Sequence, residues 1–334
     1  MTIGRGVMKG LSSATIVFAL LTWNLLAQAQ TQPFSDWLDE LRAEALAAGI
    51  SAETLEAALT GVEPVERVVE RDRNQAESRL DFWTYIDRVV TDARIEEGRR
   101  RLLEERELLD DVARRYGVPA RVLVATWGIE SSFGSYQGND PVISSLVTLA
   151  YDPRRATFFR RELLHALRII DEGHISAADM KGSWAGAMGQ LQFMPSTFID
   201  YAVDGDGDGR KNIWGSAADA IESAANYMAA SWRPGYIWGR QVALPSDFDA
   251  STAGLDAEKT LAEWSNLGVT RIDGSALPSV DLTGAIVLPN EANDPAFLVY
   301  QNYRAILRWN RSHLFAVALG HLADRIGGQP TLRR

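Results

Sequence analysis

This chain predicts a mainly α-helical fold with one small inserted module of short strands, and three observations carry that prediction. Apolar residues recur at helical spacing from Phe34 to Tyr116, and an almost wholly apolar helix follows over 119–134. Between 240 and 295 the periodicity gives way to Asp, Ser, Pro and Gly around short apolar runs. The 334 residues, 46% of them hydrophobic, suffice for a sizeable core and two or three subdomains.

Residues 1–29 read as a signal peptide. Arg5 and Lys9 give a positive start, an apolar run from Ile16 to Leu26 follows, and Ala27-Gln28-Ala29 supplies a small-x-small cleavage site. The run is short against the roughly 20 residues a bilayer span requires. Cleavage after Ala29 and export to the periplasm are expected, with an uncleaved anchor as the alternative.

Residues 30–118 form an N-terminal α-helical domain. In its last part, Arg94 to Tyr116, Ile95, Leu102, Leu109, Val112 and Tyr116 sit at near-helical spacing with Arg and Glu between them. Mixed charges of this kind mark a solvated face with i,i+4 pairs. Gly117 closes that helix, and Pro119 suits the first turn of the next. In the next helix Val122, Leu123, Val124, Ala125, Trp127 and Ile129 leave no polar stripe, so it is predicted to be buried. It ends in Trp127-Gly128-Ile129-Glu130-Ser131-Ser132-Phe133-Gly134, with one carboxylate, Glu130. A glutamate leaving such a helix is partly desolvated, which disfavours its charged form and raises its pKa towards the range of a proton donor near neutrality. Taken alone, the residues leave open a helix-end glutamate with an ordinary cap partner.

Within the core segment 119–239, further helices are expected over Phe158–Ile170 and Ser216–Ser231, the second with Ser216 as N-cap and Asp219 three residues on. The module over 240–295 holds the strand-like run Gly284 to Pro289. In the last segment, 296–334, the run Phe297 to Tyr300 leads back, and a closing helix starts near Ser312 and continues to about Ile326.

Composition excludes several functions. With no cysteine there is no lipoprotein anchor at the cleavage site and no thiol chemistry. The four histidines show no metal-ligand spacing, which argues against zinc catalysis. The formal charge is −10, and −12 once Arg5 and Lys9 leave with residues 1–29, which carry no acid. Such a surface argues against nucleic acid and anionic lipid as partners.

A second informative segment, Gly182 to Ser196, alternates small residues with two glutamines, Gln190 and Gln192, in an apolar run. Buried glutamines must be hydrogen-bonded, whereas groove-lining ones can bond sugar hydroxyl or amide groups. Ile129-Glu130-Ser131-Ser132-Phe133-Gly134 followed by Ala185-Gly186-Ala187-Met188-Gly189-Gln190-Leu191-Gln192-Phe193-Met194-Pro195 resembles the lytic murein transglycosylase B family. Asn226-Tyr227-Met228, Trp232 and Arg308-Trp309-Asn310-Arg311-Ser312 continue the resemblance in the family's order, from about Phe82 to Arg325.

The resemblance implies a lysozyme-like catalytic domain that cleaves peptidoglycan glycan strands and leaves 1,6-anhydromuramoyl ends, with Glu130 as sole acid/base. It further implies that Ser183 and Gln192 hold acetamido and hydroxyl groups, that Tyr227 and Tyr85 contact sugar rings, and that Arg154 and Arg155 meet lactyl or peptide carboxylates. Trp309 stands where the family commonly has Tyr, so it keeps a stacking surface but lacks a hydroxyl. The expected partners are glycan strands, with cell-wall enzyme complexes as further candidates, and the enzyme is expected to be a monomer without an organic cofactor. A hydrolytic lysozyme-type enzyme and a catalytically silent peptidoglycan-binding protein are the alternatives.

Asp204-Gly205-Asp206-Gly207-Asp208-Gly209-Arg210-Lys211-Asn212 places oxygen ligands at positions 1, 3 and 5 of an EF-hand-like loop, with glycine at 6. The Arg210 carbonyl falls at position 7. Position 12 is Gly215, not a bidentate Glu, and the similar site of the family draws on a later acid. Asp219 is the nearest, with Glu222 behind it. Structural calcium is expected, held by Asp204, Asp206, Asp208, Arg210 and Asp219.

Overall fold

The computed structural model describes residues 32–74, 80–290 and 295–334, so the signal-peptide reading of residues 1–29 lies outside the described residues. Helices α1 (Phe34–Ala47), α2 (Ala52–Leu59), α3 (Glu66–Arg73) and α4 (Phe82–Val89) open the chain. Local chemistry sets their starts: the Ser51 and Asp81 side chains accept from the backbone N–H of Thr54 and Thr84.

The charged stretch from Arg94 resolves into two helices, α5 (Asp92–Glu104) and α6 (Arg106–Tyr116), separated at Glu105. Its outer face carries the expected i,i+4 pairs, Glu97 with Arg101 at 2.8 Å, Arg100 with Glu104 at 2.9 Å and Asp111 with Arg115 at 2.8 Å. Gly117 ends α6 with φ +73°, the left-handed cap that glycine adopts without strain. Then α7 (Ala120–Ser131) passes through the centre, flanked by α5 and α6 and by elements from much later in the chain.

A two-residue strand β1 (Asp140–Pro141) precedes the packed pair α8 (Val142–Tyr151) and α9 (Ala156–Asp171). Strand β2 (Lys181–Gly182) pairs antiparallel with β1; α10 (Pro195–Tyr201) and α11 (Ala217–Ala229) follow. Ser216 caps α11 as expected, accepting from Asp219 N–H. The break at Glu105 lets α5 lie on α7 while α6 packs chiefly on α11, two surfaces that one straight helix would not meet together.

The inserted module is built of β3 (Gly239–Ala243), β4 (Lys259–Thr260), α12 (Leu261–Asn266), β5 (Thr270–Arg271), β6 (Thr283–Val287) and β7 (Ala296–Val299). Its antiparallel sheet has the order β4-β6-β7-β3-β5, and Leu261, Trp264, Ile286 and Leu298 form a separate small core beneath it. In the centre, Gly239 lies opposite Val299 and Val242 opposite Ala296. The chain thus leaves and re-enters the helical body at neighbouring points. Finally α13 (Gln301–Trp309) and α14 (His313–Ile326) complete the main core; Ser312 caps α14, and α14 packs along α7. Among the described residues no helix is long and apolar enough to cross a membrane.

Candidate active site

The sequence fixes the end of α7 very locally. Ser132, Phe133 and Gly134 all have positive φ (50°, 59° and 82°), which turns the chain back sharply just after Glu130. Left-handed conformation at two non-glycine residues is costly and persists only where the surroundings enforce it. Here Ser131 Oγ accepts from Gly134 N–H at 2.9 Å, and the buried Phe133 ring meets Trp127 edge-on at 5.8 Å. Gly134 is required by contact as well as by φ. A Cβ there would stand 2.6 Å from Gln190 Oε1, which itself accepts from Trp127 Nε1 at 2.8 Å. That bond joins the two motifs into one unit across 63 residues.

Glu130 sits in this frame partly accessible, at the rim of the buried helix. Burial pushes its carboxyl up to about 7; a hydrogen bond donated by Trp309 Nε1 to Oε1, 2.8 Å long, opposes the rise without cancelling it. Tyr85, raised by its own burial and then by the Glu130 charge, with Arg94 opposing, is the titratable neighbour. Trp309 belongs to an aromatic wall with Phe193 at 5.4 Å and Tyr227 at 5.0 Å. The structure therefore brings Glu130, Tyr85, Tyr227 and Trp309 together.

Ser183 and Gln192 are set by the small-residue segment between β2 and α10. Ser183 Oγ accepts from the N–H of Ala187 (3.0 Å) and Ala185 (3.3 Å), which leaves its own proton to donate. Gln192, at φ 51°, donates its amide to the carbonyls of Gln137 (2.9 Å) and Gly189 (3.0 Å), so its Oε1 remains the group to offer a ligand. Tyr227 donates its hydroxyl proton to the Arg308 carbonyl at 2.6 Å, leaving its ring and an accepting oxygen for a sugar.

Arg154 and Arg155 have a partner that sequence reasoning did not supply. Both guanidiniums pair with Asp72 of α3, whose side chain is only 4% exposed. Burial alone would raise the Asp72 carboxyl; the two arginines outweigh it and hold it below its ordinary value. Their first task is to join α3 to the start of α9, and any part in carboxylate recognition has to be shared with that bond.

In the acidic loop, Asp204, Asp206 and Asp219 each bring a carboxylate oxygen within 4.8 Å of the others. Asp219 is wholly buried, and burial raises its carboxyl against three backbone donors, the N–H groups of Asn212, Gly205 and Asp206. Three converging carboxylates, one desolvated, form a hard-oxygen set that fits calcium. Asp208 lies outside this triad: its Oδ1 accepts from Arg210 N–H at 2.8 Å, closing a turn. Glu222 is engaged elsewhere, bonded by Arg115 at 2.6 and 2.8 Å and by Tyr116 at 2.9 Å. It is not available as a ligand.

Sequence reasoning passed over Gln137, whose Nε2 bonds the carbonyls of Gly134 (3.1 Å) and Trp214 (3.0 Å), and Arg308, stacked on Tyr201 and Tyr227 at 5.4 and 5.2 Å. The Arg308-Trp309-Asn310 motif was the signal that could have found Arg308.

Known proteins match this architecture. The family model described as the transglycosylase SLT domain matches residues 33–324. Membrane-bound lytic murein transglycosylase B of Escherichia coli (strain K12) is 32% identical over 214 residues, 63% of this chain. The match spans 58% of that relative's own length. The structure of SltB3 from Pseudomonas aeruginosa with NAG-anhNAM-pentapeptide superimposes with a TM-score of 0.86 at 46% identity, covering 89% of this chain and 80% of that one. Escherichia coli Slt35, solved with calcium, gives a TM-score of 0.75 at 25% identity, covering 88% and 93%. The mainly helical, lysozyme-like fold with a few short strands is shared with these proteins.

Proposed function

This chain belongs to the transglycosylase SLT domain family, and from that premise we propose that it is a lytic transglycosylase of peptidoglycan. It cleaves the β-1,4 bond between N-acetylmuramic acid and N-acetylglucosamine and leaves 1,6-anhydromuramoyl ends. The observation that carries this reading is one carboxyl, Glu130, held near 7 by burial, with no second carboxylate raising or lowering it among the described residues. Glycosidases of the usual kind need two flanking carboxylates. A lone one must serve twice.

Glu130 in its acid form gives its proton to the glycosidic oxygen as the bond from C1 to that oxygen breaks. Positive charge develops at C1, and the substrate's own 2-acetamido group stabilises it. Glu130, now a carboxylate, takes the proton of the 6-hydroxyl while that oxygen bonds to C1. The proton count closes and no water is consumed. Ser183 Oγ–H and Gln192 Oε1, which their own hydrogen bonds leave to donate and to accept, would take hydroxyl and acetamido groups of the glycan, with Tyr85 and Trp309 as ring surfaces. Asp204, Asp206 and Asp219 would hold calcium; the ion supplies charge that fixes the loop between Gln192 and Tyr227, and the reaction does not pass through it.

The substrate places the enzyme outside the cytoplasm, which accords with periplasmic export through residues 1–29, and it acts as a monomer on glycan strands. The cap at Gly117 supports a domain limit at 118, whereas the sheet of the inserted module runs from Gly239 to Val299 and so extends past the proposed limits at 239 and 295. Mass spectrometry of muropeptides released from purified sacculi tests the activity. Anhydro ends are expected; reducing ends, heavier by one water, would make it a hydrolase, and no release a binding protein. Inhibitors resembling a fused thiazoline ring should compete at the Glu130 site, and their failure to do so would favour attack by water.

A further inference from the structure

We propose that Trp309 is a positioning residue that assigns the two oxygens of Glu130 different tasks, keeping Oε1 as a fixed acceptor and leaving Oε2 as the oxygen that gives and regains the proton. The proposal rests on the catalytic reading of Glu130 and deepens it. An indole N–H donates and cannot accept. At 2.8 Å from Oε1 it bonds that oxygen in both protonation states, as carboxylate oxygen or as the carbonyl oxygen of the acid. The carbonyl oxygen of a carboxylic acid is its better acceptor, so the acid proton is directed to Oε2. Among the described residues no group donates to Oε2, and Glu130 keeps part of its surface open.

The indole is itself held on several sides. Phe193 and Tyr227 pack on it, and the Tyr227 hydroxyl bonds the carbonyl of Arg308, the residue just before it. Arg308 stacks on Tyr201 and Tyr227, and this second hold fixes the end of α13. Tyr227 thus acts on Glu130 through Trp309, whatever it does with a sugar. A tyrosine at position 309 would bring a hydroxyl able to donate or accept, and would not force the same division between the oxygens.

The titratable and charged groups around Glu130 are Tyr85 of α4, Arg94 of α5 beyond it, and Arg308 of α13 on the aromatic wall; His313 of α14 is occupied with the Tyr303 hydroxyl at 2.9 Å. None of them bonds the carboxyl, so the indole is the one directional influence on it among the described residues.

Infrared spectroscopy of full-length protein with 13C-labelled glutamate, taken as the difference between wild type and Glu130→Gln below the Glu130 pKa, isolates the carbonyl stretch of the protonated acid. In Trp309→Phe that band should move to higher wavenumber, since the carbonyl oxygen loses its donor; Trp309→Tyr should restore it in part. Trp309→Phe should also shift the alkaline limb of the pH–rate profile upward, because a bond favouring the carboxylate is gone, and lower kcat roughly 10- to 100-fold with little change in KM. A band that stays in place would put the proton on Oε1 and overturn the proposal. So would a raised KM with an unmoved limb, the signature of a ring that merely stacks on sugar. The infrared readout needs no turnover, so it stands apart from loss of the catalytic reading, which would show as activity retained by Glu130→Gln. Circular dichroism and the Trp309→Tyr variant separate misfolding from either result.

Discussion

Glu130 and Asp219 are both carboxyls that burial raises, yet their surroundings prepare them for opposite uses. Glu130 ends an apolar helix, receives one indole bond and, among the described residues, meets no cation at bonding distance. Asp219 receives three backbone N–H groups, which favour its charged form, and stands beside Asp204 and Asp206, whose negative charges oppose it and call for a cation. Desolvation is the common ingredient. The number of donors and the presence of neighbouring carboxylates decide whether the group becomes a proton donor or a metal ligand. A third outcome is Asp72, where two guanidiniums override burial entirely.

The contrast breaks most sharply if Glu130→Gln retains activity. The change is isosteric and removes only the transferable proton, so muropeptide release should fall by 10²–10⁴-fold or more while glycan binding persists. Turnover within a few-fold of wild type would take Glu130 out of the mechanism.

The same substitution sharpens the comparison through stability. Because the folded-state pKa of about 7 exceeds the ordinary 4.5, the contribution of Glu130 is fully present below 4.5 and is lost as pH rises to about 7. The loss is at most about 3 kcal/mol, and smaller in so far as the carboxyl keeps part of its surface open to water. Glu130→Gln should therefore melt above wild type at neutral and alkaline pH and converge with it near pH 4. Parallel melting curves at every pH would deny the strain.

For the Asp219 side, calcium should raise the melting temperature, by an amount equivalent to about 2.7 kcal/mol at a hundredfold excess over Kd, with magnesium doing less. Asp204→Ala should erase the shift and still permit cleavage at low temperature. If chelation stopped turnover with melting unchanged, the loop would belong to the chemistry and the division drawn above would fail.

The smallest effect concerns Asp72. Arg154→Ala should lower stability by about 1–2 kcal/mol, since Arg155 stays on the carboxylate and both guanidiniums are half exposed. The KM for glycan bearing stem peptides should change less than threefold. A large rise confined to peptide-bearing glycan would restore the arginines to substrate recognition.

What the sequence made legible was local. The Gly117 cap, the Ser216 cap, the apolar helix behind Glu130 and the change of character near 240 are each written within a few consecutive residues, and each is present in the structure. The partners were not legible. Trp309 meets Glu130 across 179 residues, Arg155 meets Asp72 across 83, and Arg115 takes Glu222 across 107. Side chains so far apart leave no periodic trace, and each alone reads as an exposed charge or a spare aromatic.

The pairing of Gly239 with Val299 has an evolutionary consequence. It clasps the two ends of the intervening segment, so that everything between hangs as a closed loop on a fixed base. Doubling the length of such a loop costs only about 0.6 kcal/mol in closure entropy. The segment is therefore free to grow, shrink or acquire new surfaces over generations, while α13 still delivers the same indole to the same carboxylate.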